Sequence, residues 1–322
     1  MFPNLRKPPI PMSRRDLKHM TLRKTATTVL PPLRKPRPTT VPTSSPCLTA
    51  MATLKLLTAL AAAAVLPAPA TVRAETPDSL RRPVTSTYSV EAGGSRMFDT
   101  YLSPLRYDGV RVGLSGEWQK MMPASPRHLL MQMDASISSA FDRNPARSTT
   151  MYDFTAHFAW GMLYTLRFSD AWSAGFGGTV GFTAGAAYLP VNGNNPANAD
   201  VDVMLSLRAQ GAYRFTLWGR SFTLRDCVTV PTAGAMFSPG FGESYYEIYL
   251  GNSSGLAHAA WWGNHFCIDN RLSLTFPLAG RQVTAGYRFS YASRWVNNLS
   301  SRRVSHSFTI GLTFGPQNPG VR

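Results

Sequence analysis

The sequence predicts an all-β protein: a closed, antiparallel, up-and-down transmembrane β-barrel of about ten strands, with eight or twelve strands as alternatives. Three observations support this fold class. Ten segments after residue 85 alternate apolar and polar residues with a period of two, which is typical of strands. The connections between them alternate between tight turns and long loops. The chain also contains an apolar stretch with the layout of a secretory signal peptide.

The strands differ in how clearly they alternate. The clearest segments are residues 129–141, 152–162, 172–188 and 283–294. Weaker segments of the same kind are residues 85–97, 107–118, 201–215, 221–236, 264–278 and 304–314. Tight connections are predicted at 168–170, 217–221 and 279–281, and longer ones at 142–150, 189–200, 237–263 and 295–302. Short turns at one end and long loops at the other are typical of an outer-membrane barrel, with the short turns on the periplasmic side.

Alternation alone does not decide which face is apolar, because a soluble barrel or a secreted sandwich has the same period. The polar face consists mostly of Gly, Ser and Thr, which suits a narrow lumen. Lys120 is the one lysine after residue 74, whereas soluble β-proteins use lysines to protect their surfaces and edges. Aromatic residues also cluster near the strand ends, as they do at membrane interfaces. These features favour a membrane barrel with its apolar face outward.

The N-terminal region divides into two parts that precede the barrel. Residues 1–50 hold ten of the 25 prolines and ten basic residues against one acid, and we expect this leader to be disordered. Residues 51–74 form the predicted signal peptide, with cleavage between Ala74 and Glu75, or after Ala70. We hypothesise that Met51 is the true initiator and that residues 1–50 lie upstream of it. The barrel then comprises residues 75–322.

The charge distribution argues against nucleic-acid binding. The whole chain carries a formal charge of +16, but residues 75–322 hold 21 basic and 16 acidic residues, so much of the excess lies in the leader and signal peptide. We expect a monomer in the outer membrane of a Gram-negative cell. Its partners would be outer-membrane lipid and, during biogenesis, the barrel-assembly machinery, because the last strand ends on aromatic Phe314. No metal-ligand spacing is present, and we predict no metal and no cofactor.

Charged residues on the predicted lumen face have both signs, so we expect them to pair inside the barrel. The interpretation is a salt-bridged plug, with a ligand site or narrow conduit as alternatives. The candidate lumen network is Asp134, His157, Arg208, Asp269, Arg271 and Arg288.

The longest loop, residues 237–263, is rich in aromatic residues and predicts either a recognition surface or a lid over the barrel mouth. Tyr245, Tyr246 and Glu247 are its candidate residues, and Glu247 is expected to bind a lumen arginine and fix the loop inside. An alternative is that Trp261 and Trp262 simply begin the next strand at the outer aromatic girdle.

Nucleophilic chemistry has weaker support. The histidines at 157, 258, 265 and 306 could be combined with serines, but no nucleophile elbow or recognisable spacing is present. Asp200 and Asp202 are similar to the paired acids of ten-strand surface proteases, although acids beside an Asn-rich loop are more often solvated. Cys227 and Cys267 are equally compatible with a disulfide and with two free thiols.

Three motifs in order along the chain carry a family resemblance. They are FDTYLSPLRYDG at 98–109, FSP at 237–239 with SYYEI at 244–248, and GYR at 286–288 with Asn297 and Asn298. The chain resembles a family of uncharacterised β-barrel proteins from Bacteroides-type Gram-negative bacteria. This resemblance implies the location and the fold and assigns no catalytic residue. The expected function is a structural or surface-recognition barrel with an occluded polar lumen; the alternatives are an outer-membrane hydrolase and a narrow transport conduit.

Overall fold

The computed structural model describes residues 84–122, 128–193, 195–251 and 254–315. The chain divides into two compact units, residues 1–55 and 56–322, and all the described residues belong to the second. The predicted leader, signal peptide and cleavage site lie outside the described residues, as do residues 316–322. In the described part of the chain, no helix is long and apolar enough to cross a membrane.

Eleven strands and one short helix account for most of the described residues. The strands are β1 Thr85–Asp99, β2 Ser103–Met121, β3 Leu129–Arg143, β4 Thr150–Arg167, β5 Trp172–Tyr188, β6 Ala197–Leu217, β7 Arg220–Phe237, β8 Ala257–Trp261, β9 His265–Leu278, β10 Arg281–Val296 and β11 Leu299–Phe314. The helix, α1, spans Tyr245–Tyr249 between β7 and β8.

The strands form a closed antiparallel ring. Each of β1 to β7 pairs with the next strand, β9 pairs with β10, β10 with β11, and β11 returns to β1. Both β8 and β9 pair with β7, at Ala233–Phe237 and Thr223–Thr229 respectively, so they occupy successive lengths of one position in the ring. The barrel therefore has ten positions, and the prediction of a ten-stranded closed antiparallel barrel is confirmed.

The wall of the barrel has an apolar outer face and a polar inner face. On β3, for example, Asp134 is 2 % exposed whereas Ile137 is 48 % exposed. Large apolar side chains such as Phe176, Leu207 and Phe308 are among the exposed residues around the ring. A protein in water would hide these side chains, so this arrangement is that of a barrel surrounded by lipid.

The two ends of the barrel differ as predicted, with one exception. At the turn end, β6–β7 and β9–β10 are joined by two-residue turns, Trp218–Gly219 and Ala279–Gly280, with positive φ at both residues. The predicted long loop at 295–302, at the other end, is wrong: β10 and β11 continue to Val296 and Leu299. Asn297 and Asn298, with φ of 52° and 60°, make the turn alone. Asparagine tolerates this left-handed conformation, which allows the tight turn.

Candidate functional site

The barrel lumen contains the main concentration of buried charge. Seven side chains form what we call the central network: Glu91, Arg111, Asp134, Arg208, Asp269, Arg271 and Arg288. Asp134 pairs with Arg208 and accepts a second contact from Arg271 Nη1 at 3.3 Å. Arg271 also reaches Asp269, with Nε to Oδ1 at 3.0 Å. The network thus joins β3, β6 and β9 across the lumen.

The other half of the central network is built on Arg288. Its Nε lies 2.7 Å from Asp269 Oδ2, and its Nη1 lies 3.3 Å from Glu91 Oε2. Glu91, 2 % exposed, also lies 3.6 Å from Arg111 Nη2. Each buried carboxylate therefore contacts two arginines, which offsets the cost of its desolvation.

A second set of ion pairs, the outer network, lies nearer the loop end and comprises Asp153, Asp200, Asp202, Arg294 and Arg303. Arg294 of β10 pairs with both Asp200 and Asp202 of β6. Arg303 of β11 pairs with Asp200 and lies 3.1 Å from Asp153 Oδ1 of β4. Because these strands lie on different sides of the ring, the pairs cross the lumen. The expectation that Asp200 and Asp202 are solvated is wrong, since both are buried.

A third contact, the inner pair, crosses the lumen nearer the turn end. Arg225 Nη1 lies 2.7 Å from Glu117 Oε1, and the same oxygen accepts hydrogen bonds from Gln119 at 2.7 Å and Gln132 at 3.2 Å. Gln119 also donates to Gln210 at 3.3 Å. Charged or polar contacts therefore cross the lumen at three heights.

The loop end is closed by contacts between opposite sides of the ring. Asn198 at the start of β6 donates to Asp99 at the end of β1, at 2.8 Å. The turn at residues 100–102 packs inward, where Leu102 is 4 % exposed. It joins an apolar cluster whose buried members are Met97, Leu102, Tyr107, Met151, Ala187 and Leu189.

Tyr245 and Tyr101 hold α1 against this closure. The Tyr245 hydroxyl accepts from the Ala199 amide at 2.6 Å and donates to Asn198 at 3.1 Å, while its ring packs edge-on against Tyr101. Tyr101 in turn donates to the Glu243 carbonyl at 2.8 Å. Burial raises the pKa of Tyr101 to about 12.

The expected role of Glu247 is wrong. Glu247 is exposed and accepts from the Ser244 amide at 2.7 Å, while the Ser244 hydroxyl accepts from the Glu247 amide at 3.2 Å. These two residues form a capping box at the start of α1 and do not reach a lumen arginine. The hydrogen bonds to Ser244 lower the pKa of Glu247.

The remaining aromatic residues of the loop point outward. Tyr246 is 68 % and Tyr249 84 % exposed, and Phe241 is 73 % exposed. The alternative that Trp261 and Trp262 begin the next strand is wrong, because Trp261 ends β8 and Trp262 follows it in the turn to β9. The loop thus combines an anchor at Tyr245 with an exposed aromatic surface.

Two internal cavities lie between the ion-pair layers. The larger, of about 190 Å³, is lined by residues of the outer and central networks, including Asp202, Arg303 and Asp269. The smaller, of about 50 Å³, lies between the central network and the inner pair and is lined by Glu117, Asp134 and Arg225. The central network therefore separates two spaces along the lumen.

All six candidate lumen residues face this interior. Five belong to the central network, and His157, whose Nδ1 lies 3.3 Å from Thr183 Oγ1, lines the larger cavity. Glu91, Asp99 and Arg303 were missed as candidates. Glu91 shares a face with Gly93 and Ser95 in the β1 alternation, so the period could have found it. Arg303 lies just before the predicted start of its strand at 304.

Histidine contacts in the described chain do not build a serine hydrolase site. His258 bonds to Asn297, His306 to Tyr287, and His265 to Cys267 and Arg294. In the same residues, no group of three or more His, Cys, Asp or Glu side chains is arranged to hold a metal ion.

The two cysteines of the described residues, Cys227 and Cys267, are free. Cys227 pairs in register with Arg271, and Cys267 lies four residues further along β9, so their Cα atoms are roughly 13 Å or more apart. A disulfide needs a Cα separation below about 7 Å, so the alternative of a bridge between them is removed.

Sequence comparison places the chain in a family. The sequence profile of a family described as "Protein of unknown function (DUF3316)" matches residues 49–314. The chain belongs to the DUF3316 family. The predicted membership of an uncharacterised β-barrel family is thereby confirmed. A search of curated proteins finds no match for this DUF3316 chain.

Solved structures share the fold at low identity. The outer-membrane protease OmpT from Escherichia coli is 9 % identical, with 76 % of this chain and 99 % of that chain covered and a TM-score of 0.45. The translocator domain of the autotransporter NalP from Neisseria meningitidis is 8 % identical over 83 % and 96 %, with a TM-score of 0.33. Neisserial surface protein A is 10 % identical over 71 % and 97 %, with a TM-score of 0.30. The barrel thus resembles those of outer-membrane proteins, and the likeness concerns the fold alone.

Proposed function

We propose that this DUF3316 protein is an outer-membrane barrel with an occluded lumen, which acts at the cell surface in a structural or recognition role. The observation that carries the proposal is the distribution of apolar and polar side chains over the two faces of the barrel wall. Apolar side chains cover its outer face, and ion pairs and polar contacts cross its interior at three heights. A ten-stranded barrel filled in this way leaves little room for a water-filled channel.

The recognition part of the proposal rests on the long loop. Tyr245 and Tyr101 fix α1 over the closed mouth, so Phe241, Tyr246 and Tyr249 are presented on a rigid support. Exposed aromatic side chains on such a support lose little conformational entropy when they bind a partner.

The orientation is tested by surface labelling of whole cells. Tyr249→Cys and Trp218→Cys would each be introduced after Cys227 and Cys267 are changed to serine. Both positions are similarly exposed, at 84 % and 86 %, but they lie at opposite ends of the barrel. We expect a membrane-impermeant maleimide to label Tyr249→Cys on intact cells, and Trp218→Cys only after the cells are broken. Labelling of Trp218→Cys alone on intact cells would contradict the proposed orientation, and a protein absent from the outer-membrane fraction would contradict the location.

A further inference from the structure

The barrel wall has a break between β7 and its neighbours β8 and β9. Pairing of β7 with β9 ends at Thr229 opposite Asp269, and pairing with β8 begins at Ala233 opposite Trp261. If the β7–β9 register continued by one more inward position, Pro231 would lie opposite Cys267. Within the described pairings, residues 230–232 of β7 have no partner on this side. We call this break the wall gap.

The sequence explains why the wall opens here. Pro231 has no amide hydrogen to donate to a ladder, and such residues occur at bulges and edges. On its other side, β7 pairs Pro231 with Ser206 and Ala233 with Leu205, so Thr232 is an extra residue whose hydroxyl donates to the Leu205 carbonyl at 3.0 Å. The strand therefore bulges at the level of the gap.

Across the gap, residues 262–264 leave the wall in a defined turn. The backbone amide of Asn264 donates to the Trp261 carbonyl at 3.0 Å, and its side-chain amide donates to the Ala259 carbonyl at 2.8 Å. The Trp262 indole donates to the Pro231 carbonyl at 2.6 Å and so bridges the gap with a side chain. One indole can swing away more readily than a ladder of backbone hydrogen bonds can separate.

The larger cavity lies directly behind the gap. Pro231, His265 and Cys267 all line it. His265 is 1 % exposed, and its Nε2 accepts a hydrogen bond from Arg294 Nε at 3.2 Å. Since arginine can only donate, the proton of a neutral His265 resides on Nδ1, and Nδ1 has no hydrogen-bond partner.

Two further buried donors, Arg111 Nε and Arg303 Nε, belong to arginines that line the cavity and have no hydrogen-bond partner. The Asp153 Oδ1 atom, an acceptor of the same lining without a hydrogen bond, lies 3.1 Å from Arg303 Nη2. Buried donors normally find an acceptor, so this cavity matches a molecule that carries oxygen acceptors. Seven arginines and five aspartates line the cavity, and one of the arginines, Arg96, is exposed and pairs with Asp108. Each of the other six arginines also contacts a carboxylate, including two central-network carboxylates that do not line the cavity, so the unpartnered donors, and not a net charge, favour an oxygen acceptor.

The outer side of the gap is apolar. Trp262 and Phe266 flank it with 53 % and 40 % of their surfaces exposed, and Leu205 and Leu207 on neighbouring β6 are 56 % and 59 % exposed. A molecule that crosses the wall here therefore comes from an apolar phase.

We propose that the wall gap is a lateral port through which a single-chain amphiphile with a carboxylate head group, such as a fatty acid, binds in the lumen. The carboxylate enters the cavity and accepts hydrogen bonds from His265 and Arg303, while the acyl chain lies in the gap and extends into the lipid. The inference rests on the proposed membrane location, because a lateral port requires a lipid phase.

The test uses the native Cys267 as half of a reversible lock. Pro231→Cys, in a Cys227→Ser background, would be oxidised to bridge the gap, and binding of dodecanoate to the purified full-length barrel would be followed by native mass spectrometry. We expect one dodecanoate per reduced barrel, about tenfold weaker binding after oxidation, and recovery on reduction. Protein loaded before oxidation should retain its ligand. In the matched control, Val112→Cys with Ser139→Cys, an outward-facing pair that lines neither cavity, bridges the continuous β2–β3 seam and should leave binding unchanged.

A second pair of variants tests the cavity without any cross-link. His265→Phe removes the donor and should weaken dodecanoate binding about tenfold, whereas His265→Gln retains a donor and should bind more strongly than His265→Phe. If dodecyltrimethylammonium bound as strongly as dodecanoate, or if the oxidised Pro231→Cys barrel bound dodecanoate as strongly as the reduced one, the proposed lateral port would be wrong.

Heat-modifiable gel mobility and insertion into liposomes separate this proposal from the proposed membrane location. A barrel that folds and inserts but binds no dodecanoate contradicts this inference alone, and one that fails to insert contradicts the membrane location.

Discussion

On β3, the inward Asp134 and the outward Ile137 are three residues apart and have opposite surroundings. Asp134 is 2 % exposed between Arg208 and Arg271, while Ile137 is 48 % exposed on the outer face. The inner face is specified by partners on distant strands, and the outer face requires only apolar character. Substitutions on the inner face should therefore destabilise the barrel in any solvent, whereas charges on the outer face should matter only in lipid.

The largest effect is expected from Asp134→Ala. Two arginines would lose a buried partner, and removing one side of a buried ion pair costs about 3–5 kcal/mol. The free energy of unfolding would be measured by urea titration in liposomes, read by heat-modifiable gel mobility. Asp170→Ala is the matched control, because Asp170 is exposed in the β4–β5 turn and its loss should change stability by less than about 0.5 kcal/mol. Equal effects of the two variants would show that the central network does not stabilise the fold.

Phe308→Arg tests the outer face. Phe308 is 75 % exposed on β11, and an arginine facing lipid near the bilayer midplane costs about 2–4 kcal/mol. The same titration should show this loss in liposomes, while Phe308→Leu should cost much less. A Phe308→Arg barrel as stable in liposomes as the original protein would contradict a lipid-facing outer surface.

Tyr245→Phe should have a smaller and local effect. It removes the hydroxyl that contacts the Ala199 amide and Asn198. The loss of these hydrogen bonds should destabilise the loop locally by about 1–2 kcal/mol. Hydrogen–deuterium exchange should become faster around residues 240–250 and stay unchanged in the strands. Tyr246→Phe is the control, since that side chain is exposed. Unchanged exchange in Tyr245→Phe would mean that the hydroxyl does not anchor α1.

A change no larger than this is expected at the β10–β11 turn. Asn298 has φ of 60°, where a β-branched residue is strained, so Asn298→Val should lower the free energy of unfolding by about 1–2 kcal/mol, and Asn298→Gly should be nearly neutral. Urea titration of the two variants measures the difference. Equal stability would show that this turn does not require the left-handed conformation.

The sequence predicts the barrel wall well because the alternation within each strand shows which residues face outward and which face the lumen. Phe176 and Gly175, for example, alternate locally, and no knowledge of other strands is needed to place Phe176 outside. The ion-pair partners across the lumen cannot be predicted from this local alternation. Arg294 meets Asp200 and Asp202 from the far side of the ring, and the register that brings them together depends on every strand between them. Charge alternation thus indicates an ion-paired interior without identifying the pairs.

Loop details differ from the sequence prediction where a local interaction competes with a long-range one. The predicted partner of Glu247 is a lumen arginine, but Glu247 instead forms a capping box with Ser244, three residues earlier, a pattern that the sequence itself contains. The polar composition of residues 295–302 predicts a loop, whereas Asn297 and Asn298 form a two-residue turn because asparagine tolerates positive φ. In contrast, the wall gap requires the register of β7 against both β8 and β9, which the alternation does not provide.

The central claim, a membrane barrel whose lumen is closed by its own side chains, is tested most directly by single-channel recording of the purified protein in a planar lipid bilayer. We expect insertion, shown by heat-modifiable mobility of the same sample in liposomes, without a stable open conductance. A steady, ohmic conductance from the inserted protein would contradict the closed lumen.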